Sequence, residues 1–360
     1  MNVFARSVSR ERQPAIRPVP LLRPTGAVWF AWRRHRAAYR IAAALAVLAA
    51  LWAVWEHQQL VSGIHDYALA CRRTPAVCES TEDTGGHVAP PVSDSIHLLF
   101  EQAPSVLRFL PLVVGALLGA PLFAQDLENG TYRLDWTQSV GRREWAAAKL
   151  VTAAAVTTAA AIVLTLPVTW WWGSVLRGHQ LTGPDGNAWR RTTFWVDWSL
   201  FPFTGPVGVA HLLLALMTGA VVGMYMRRAL PAVALAAAAS QGWQLTLDQL
   251  RPRLLPAHVT RGTGLDNYPD VPLDSWQLSS GYVHADGRLT EVYPCAYSGG
   301  QSAPQDFHSC LRAHDIVTQY SRVLLPDQIV PLQLIETGIC LAAAAALAVL
   351  CLHGVRRIAA

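Results

Sequence analysis

The sequence predicts an all-α integral membrane protein of six transmembrane helices. Both termini are expected in the cytoplasm, with a larger extracytoplasmic loop region between helices five and six. Three observations predict this class. Hydrophobic residues make up 52% of the 360 and charged residues only 15%, with a mean hydropathy of +0.24, where a soluble domain carries about 25% charged residues. Six apolar segments approach the roughly 20 residues a helix needs to cross a bilayer core. Arginine is distributed unevenly between the segments that join them. The same composition excludes a disordered chain and a disulfide-rich mini-fold.

Residues 1–28 are rich in Arg and Pro and have no apolar core, so no cleavable signal is expected and the first span reads as an uncleaved anchor. Residues 27–36 set Trp29, Phe30 and Trp32 beside Arg33, Arg34 and Arg36. That pattern fits either a helix lying in the inner interface or a solvated basic flank that orients the first span. Residues 1–40 are therefore read as a cytoplasmic tail with an interfacial helix. The first span, 41–55, is purely apolar but short, and reaches full length with residues 37–39 if Arg40 snorkels. The second, 106–124, carries Arg108 near one end; the third, 150–172, has no charge; the fourth, 205–226, has His211 as its one titratable group. The fifth, 229–247, is the weakest, with Pro231, Gln241 and Gln244 inside it. The last, 331–352, has Glu336 near its start and is followed by a short cytoplasmic end, 353–360. Spans one to five thus occupy 41–247, with an inner loop at 125–149, and 248–330 form an outer cap. Small residues at 153–161 and 232–239 allow close helix packing, and tryptophans gather at span ends as in an aromatic belt.

With a cytoplasmic N-terminus, the inner segments 29–40, 125–149, 227–228 and 353–360 have about four times the Arg and Lys density of the outer ones, the positive-inside bias. Cysteines agree with that orientation. Cys71 and Cys78 fall in the first outer loop and Cys295 and Cys310 in the last, where disulfides form. Cys340 and Cys351 lie in the last span and behave there as small hydrophobes.

The 29 basic residues comprise 28 arginines and a single lysine, Lys149, within Ala146-Ala147-Ala148-Lys149-Leu150. A phosphate-binding P-loop needs a lysine followed by Ser or Thr after a glycine-rich turn, so this polypeptide binds no ATP through a Walker motif. No Gly-x-Ser-x-Gly elbow and no His-Glu-x-x-His are present either. The most informative stretch is the inner loop. Two short helical pieces, with Leu127, Leu134 and Trp145 as apolar positions, flank turn residues, and Ser139 or Gly141 caps the helix into span three with Glu144 in its first turn. A loop of this form suits either a docking surface for a soluble partner or a plain surface connection.

Gly119-Ala120-Pro121-Leu122, then Asp126-Leu127-Glu128-Asn129-Gly130-Thr131, Thr137-Gln138-Ser139-Val140 and Arg142-Arg143 resemble the second-span exit of type-2 ABC exporter permeases, with Lys149 in the place of that family's lysine. The last span, with Gln333, Glu336, Thr337 and Gly338, is similar to an actinobacterial branch of transmembrane transport proteins. The resemblance covers spans two, three and six, and the outer loops poorly. It implies a multi-pass permease half in the cytoplasmic (plasma) membrane that pairs with a second half and with two cytoplasmic ABC ATPase subunits. ATP and its magnesium then belong to the partner, this chain needs no cofactor and is not itself an enzyme, and nucleic acid is not among the expected partners. The resemblance further assigns the ATPase contact to Glu128, Gly130, Thr131, Gln138, Arg142 and Arg143.

Two other readings compete. A membrane-embedded enzyme would need a centre in the outer cap, where His308-x-Cys310-x-x-x-His314 offers imidazole and thiolate, but this spacing matches no recurring zinc pattern and Cys295 offers Cys310 a disulfide instead. A secondary transporter would need titratable groups in the bilayer, and only Arg108, His211 and Glu336 qualify. Glu336 is expected to act as an end-of-span anchor at a helix N-terminus, where the dipole favours its charge, with pairing to a neighbouring helix as a further option, and His211 as a hydrogen-bonded packing residue; Gln333 completes the polar set.

Overall fold

The computed structural model describes residues 25–73, 107–137, 141–176, 201–265, 269–271, 275–291, 295 and 304–357. Helix α1 spans Thr25–Arg73. Helix α2 runs over Leu110–Glu128 as an α-helical start, a π-helical stretch at Val114–Gly119 and an α-helical end, Pro121–Glu128. A short α3 (Tyr132–Thr137) leads to α4 (Arg142–Leu176), then α5 (Gly205–Met226) and α6 (Ala229–Leu250). Strands β1 (His258–Arg261), β2 (Trp276–His284) and β3 (Leu289–Thr290) follow, then α7 (Pro304–Ala313), β4 (Ile316–Leu324) and the last helix α8 (Ile329–Arg357).

Among the described residues, five helical runs are long and apolar enough to cross a membrane: Trp32–Gln59, Leu110–Glu128, Arg142–Trp170, Gly205–Met226 and Pro326–Val355. Helix α6 falls short on hydropathy, not on length. Its 22 residues extend about 33 Å at about 1.5 Å per residue. The expected all-α class is corrected: residues 258–324 include a four-stranded antiparallel sheet of order β1-β4-β2-β3. The reason is legible afterwards, since both long strands are rich in Val, Tyr, Ser and Thr, residues that suit a half-buried sheet. The first helix also differs from expectation. Residues 27–40 continue into the span without a break, so among the described residues no interfacial helix is set apart from it.

Helix α5 is the hub. Most of its length is buried, and α2, α4, α6 and α8 pack around it, while α1 lies against α4. Glycines set the closest approach. Gly115 and Gly119 of α2 face Gly219 and Gly223 of α5, each pair four residues apart, the spacing that lets backbones touch. A Cβ on Gly219 would lie 2.0 Å from the Gly115 carbonyl oxygen, and one on Gly223 2.1 Å from that of Ala120. Helices α2 and α6 meet through Ala120, Ala124, Ala232 and Ala236, all fully buried. Outward-facing Leu45, Leu48 and Leu51 on α1, Leu166 on α4, Leu230 on α6 and Leu334 on α8 are exposed, the face a bilayer would cover.

The sheet has its own small core of Tyr282, Cys295, Leu311 and Ile316, with Leu265 and Phe307 against it. The Cys295–Cys310 disulfide ties α7 to the preceding segment, with Cα atoms 6.1 Å apart. Strands β2 and β3 turn through Ala285-Asp286-Gly287, where Gly287 takes a φ of 84°. The Arg288 backbone N–H donates to Asp286 Oδ1 at 2.9 Å and holds that carboxyl below the usual carboxylate range. Gln328 Nε2 donates to the Pro256 carbonyl at 3.1 Å, so the chain entering the sheet and the chain leaving it are pinned together.

The glycine contacts separate two substitutions of the same kind. Gly219→Ala forces α2 from α5 and lowers stability by about 1–3 kcal/mol or more, as overpacking does. Gly242→Ala, where a Cβ meets nothing, is neutral or raises stability by up to about 1 kcal/mol through helix propensity. Thermal unfolding of the two variants in the same detergent checks the contrast.

Candidate functional site

Two clusters of buried charge stand at opposite ends of the bundle, while Glu56 and His57 of α1 are buried apart from both. At the end away from the sheet, α2 stops at Glu128 and the chain reverses through Gly130, whose φ of 69° is left-handed and favours glycine. Asp126, one turn before this reversal, is 2% exposed and receives two cations. Lys149 of α4 pairs with its Oδ2 and donates to the Leu122 carbonyl at 2.8 Å; Arg34 of α1 reaches its Oδ1 at 2.5 Å. The Thr131 hydroxyl donates to Asp126 Oδ1 at 3.2 Å and accepts from Arg34 at 2.6 Å. Lys149 Nζ lies 4.5 Å from the Trp145 ring centre and 5.6 Å from that of Phe123, contacts that suit a desolvated ammonium.

The α3 turn hangs on this anchor. Tyr132 and Trp136 stack edge to face at 4.8 Å, Trp136 meets Trp145 at 6.2 Å, and the Arg142 guanidinium sits 4.7 Å over the Trp136 ring. Glu128 turns the other way: its Oε2 accepts the backbone N–H of Ala229 at 2.7 Å. A carboxylate at a helix N-terminus is favoured by the dipole, so Glu128 ties the turn to α6. Thus α1, α2, α4 and α6 all make a polar contact within this short stretch. Arg133, Arg142, Arg143 and Glu144 remain exposed around it.

At the sheet end the pivot is Glu336, two turns into α8 and 0% exposed. Arg251, just past the end of α6, donates to it through Nε and Nη2, both at 2.7 Å, and His211 Nε2 lies 2.9 Å from Oε1. Arg251 Nη1 also donates to Asp248 at 3.0 Å, whose other oxygen accepts from Arg108 at 3.2 Å. Arg251 is itself 1% exposed and stacks over Phe201 at 4.9 Å. A forked guanidinium on a carboxylate is the strongest form of this pairing. Glu336 is therefore not stabilised by a helix terminus, as the sequence led us to expect. It is a buried ion in the interior, neutralised by two other elements. His211 does hydrogen-bond, to this carboxylate, and Gln333 Nε2 donates to Thr204 at 3.1 Å beside it.

The remaining expected positions are placed as follows. Gln138 and Cys78 lie outside the described residues, as does the side chain of Cys71, whose backbone belongs to α1. Cys340 and Cys351 are buried thiols. His314 lies near Cys295 and Cys310, with ligand atoms within 4.8 Å of one another, but the two sulfurs are joined and offer a metal no thiolate. Asp126, Arg34 and Arg251 were not singled out by sequence reasoning. Two signals pointed to them: a lone lysine inside an alanine-rich helix demands a buried anion, and Glu336 in an apolar span demands a cation.

Residues 42–251 match a family model described as ABC-2 membrane transporter related. The match covers more than half of the chain and runs from α1 to Arg251. Neither the curated proteins nor the solved structures contain a match to this chain.

Removing one partner of a buried pair leaves an uncompensated charge and costs about 3–5 kcal/mol, whereas replacing both by apolar residues can be neutral. Arg251→Met is accordingly the most damaging single change at the sheet end, and adding Glu336→Leu to it recovers part of the loss. Denaturation of both variants in detergent reads the sign: a double variant as unstable as the sum of the singles would contradict the pairing.

Proposed function

The chain belongs to the ABC-2 membrane transporter related family, and on that premise we propose that it is the membrane permease subunit of an ATP-binding cassette exporter, energised by separate ATPase subunits. The observation that carries this reading is the family match itself, which includes the α2–α3–α4 turn and its buried Asp126–Lys149 contact. The geometry of α6 supports a reading of six crossings. Its N-terminus is held by Glu128 at the end of α2, and Asp248 near its C-terminus is held by Arg108 at the start of α2. The two helices thus run antiparallel over the same thickness, so α6 crosses wherever α2 does. The start of α1 and the end of α8 lie on the side that carries Arg33, Arg36, Arg133, Arg142, Arg143, Arg227 and Arg228, which the positive-inside rule assigns to the cytoplasm. The sheet then faces outward, where its disulfide is stable.

In this reading the ATPase docks on α3 and the exposed start of α4. Movement of that turn loads four helices at once: α2 directly, α4 through Asp126–Lys149, α1 through Asp126–Arg34, and α6 through Glu128–Ala229. ATP-driven closure of the partners tilts the spans and opens a path between this half and a second permease half in the plasma membrane. The cargo is unassigned.

Two measurements test this. Solubilised from native membranes, the chain co-purifies with a nucleotide-binding ATPase, and Arg142→Glu with Arg143→Glu reduces its recovery at least fivefold without lowering membrane insertion; particles free of any ATPase would count against the reading. For sidedness, Asp286→Cys in the exposed β2–β3 turn reacts with an impermeant maleimide in intact cells. Reaction confined to inverted vesicles would reverse the orientation.

A further inference from the structure

One cavity in the bundle borders the sheet-end charge cluster, with which it shares His211. It lies among α2, α5 and α6 and is lined by Pro111, His211, Leu214, Ser240, Gln244 and Leu247, with room of ≈ 10 Å³ for the centre of a water-sized sphere. Two of its polar atoms, Ser240 Oγ and Gln244 Nε2, are shielded from solvent and have no hydrogen-bond partner. Their residues are 1% and 4% exposed. A buried amide or hydroxyl without a partner is costly, and native interiors avoid it.

We propose that this cavity is a hydration site holding one water molecule, which accepts from Gln244 Nε2 and hydrogen-bonds to Ser240 Oγ. Four features select water over other occupants. The room matches what a single water requires, roughly 10–15 Å³, and admits no organic group. The lining carries no carboxylate, so a cation gains no counter-charge there. An amide N–H needs an acceptor and a hydroxyl can take either role, and water supplies both. An empty cavity would leave both groups unpaired, whereas dry cavities are apolar. The walls are firm, because Ser240 packs where a Cβ on Gly115 would come within 2.3 Å of its Oγ. The water extends a polar seam from α6 to His211 and, through its bond to Glu336, to Arg251. The inference stands on the cavity alone and is independent of the transport reading.

X-ray hydroxyl-radical footprinting of the full chain in lipid nanodiscs tests it, because a bound water generates radicals where it sits. Leu214 and Leu247 line the cavity at 2% and 4% exposure; Leu216 and Leu122, at 0% and 1%, lie elsewhere in the core. The two cavity leucines are expected to be modified at least fivefold faster than the two others. In the variant combining Ser240→Ala with Gln244→Leu, that excess falls to the level of the others. Equal rates at all four leucines in the native chain would overturn the proposal, as would an excess that survives the double variant. The native comparison decides without any variant, so misfolding of the variant leaves the test intact.

Discussion

A carboxylate in an apolar bundle has to be neutralised from within the bundle, and the sheet half is arranged around that requirement. Glu336 receives both prongs of Arg251 and the imidazole of His211. These groups come from α8, from the turn after α6 and from α5, so the pairing works only if all three elements are in register. Such a pair adds little net stability over apolar packing, because desolvation offsets most of the Coulomb gain. What it excludes is misplacement, since a helix one turn out of place would strand a charge in a medium that cannot solvate it. Arg251 also stands where the chain leaves the bundle for the sheet, so the same contact fixes the start of that segment to the bundle.

The opposite end uses the same physics with a different outcome. Asp126 is as buried as Glu336, but one of its two cations, Arg34, is partly exposed, and the surrounding turn is short and bordered by open arginines. A buried anchor beneath an accessible turn transmits a push into the helices, where a turn anchored only at the surface would absorb it. The glycine contacts between α2 and α5 supply the stiff centre for such a push. Close-packed interiors yield by moving whole elements and not by compression.

Much of this was legible in the sequence, and the gaps have physical causes. The apolar runs and the Cys295–Cys310 bridge, one of the two cysteine pairs expected, followed from hydropathy and cysteine placement. The sheet did not, because strands in a loop with few long apolar runs give a weaker signal than a 20-residue span. The continuous first helix was hidden by Arg33, Arg34, Arg36 and Arg40, which read as a boundary although arginine is a good helix former. Glu336 was noticed and misassigned: its distance from the span boundary is set by where α8 begins, and the preceding 3-10 turn, Pro326–Gln328, moves that start outward. The Gly115/Gly119 and Gly219/Gly223 spacings were available and went unused.

Helix α6 shows how a hydropathy average can hide an apolar outer face. Its mean falls because Ser240, Gln241 and Gln244 interrupt an alanine-rich stretch, and a window average treats them as if they faced lipid. They need not. Ser240 and Gln244 are buried with Ala232 and Ala236, while Leu230, Leu235 and Leu245 on the same helix are exposed. A span that keeps its polar residues inward meets the bilayer with an apolar face, and the cost of those residues is set by what they find inside. For α6 that interior is polar at three levels: Glu128 at its start, the Ser240–Gln244 cavity along its length, and Asp248 with Arg251 at its end. The helix that looks least suited to a membrane is thus the one most fully tied to its neighbours.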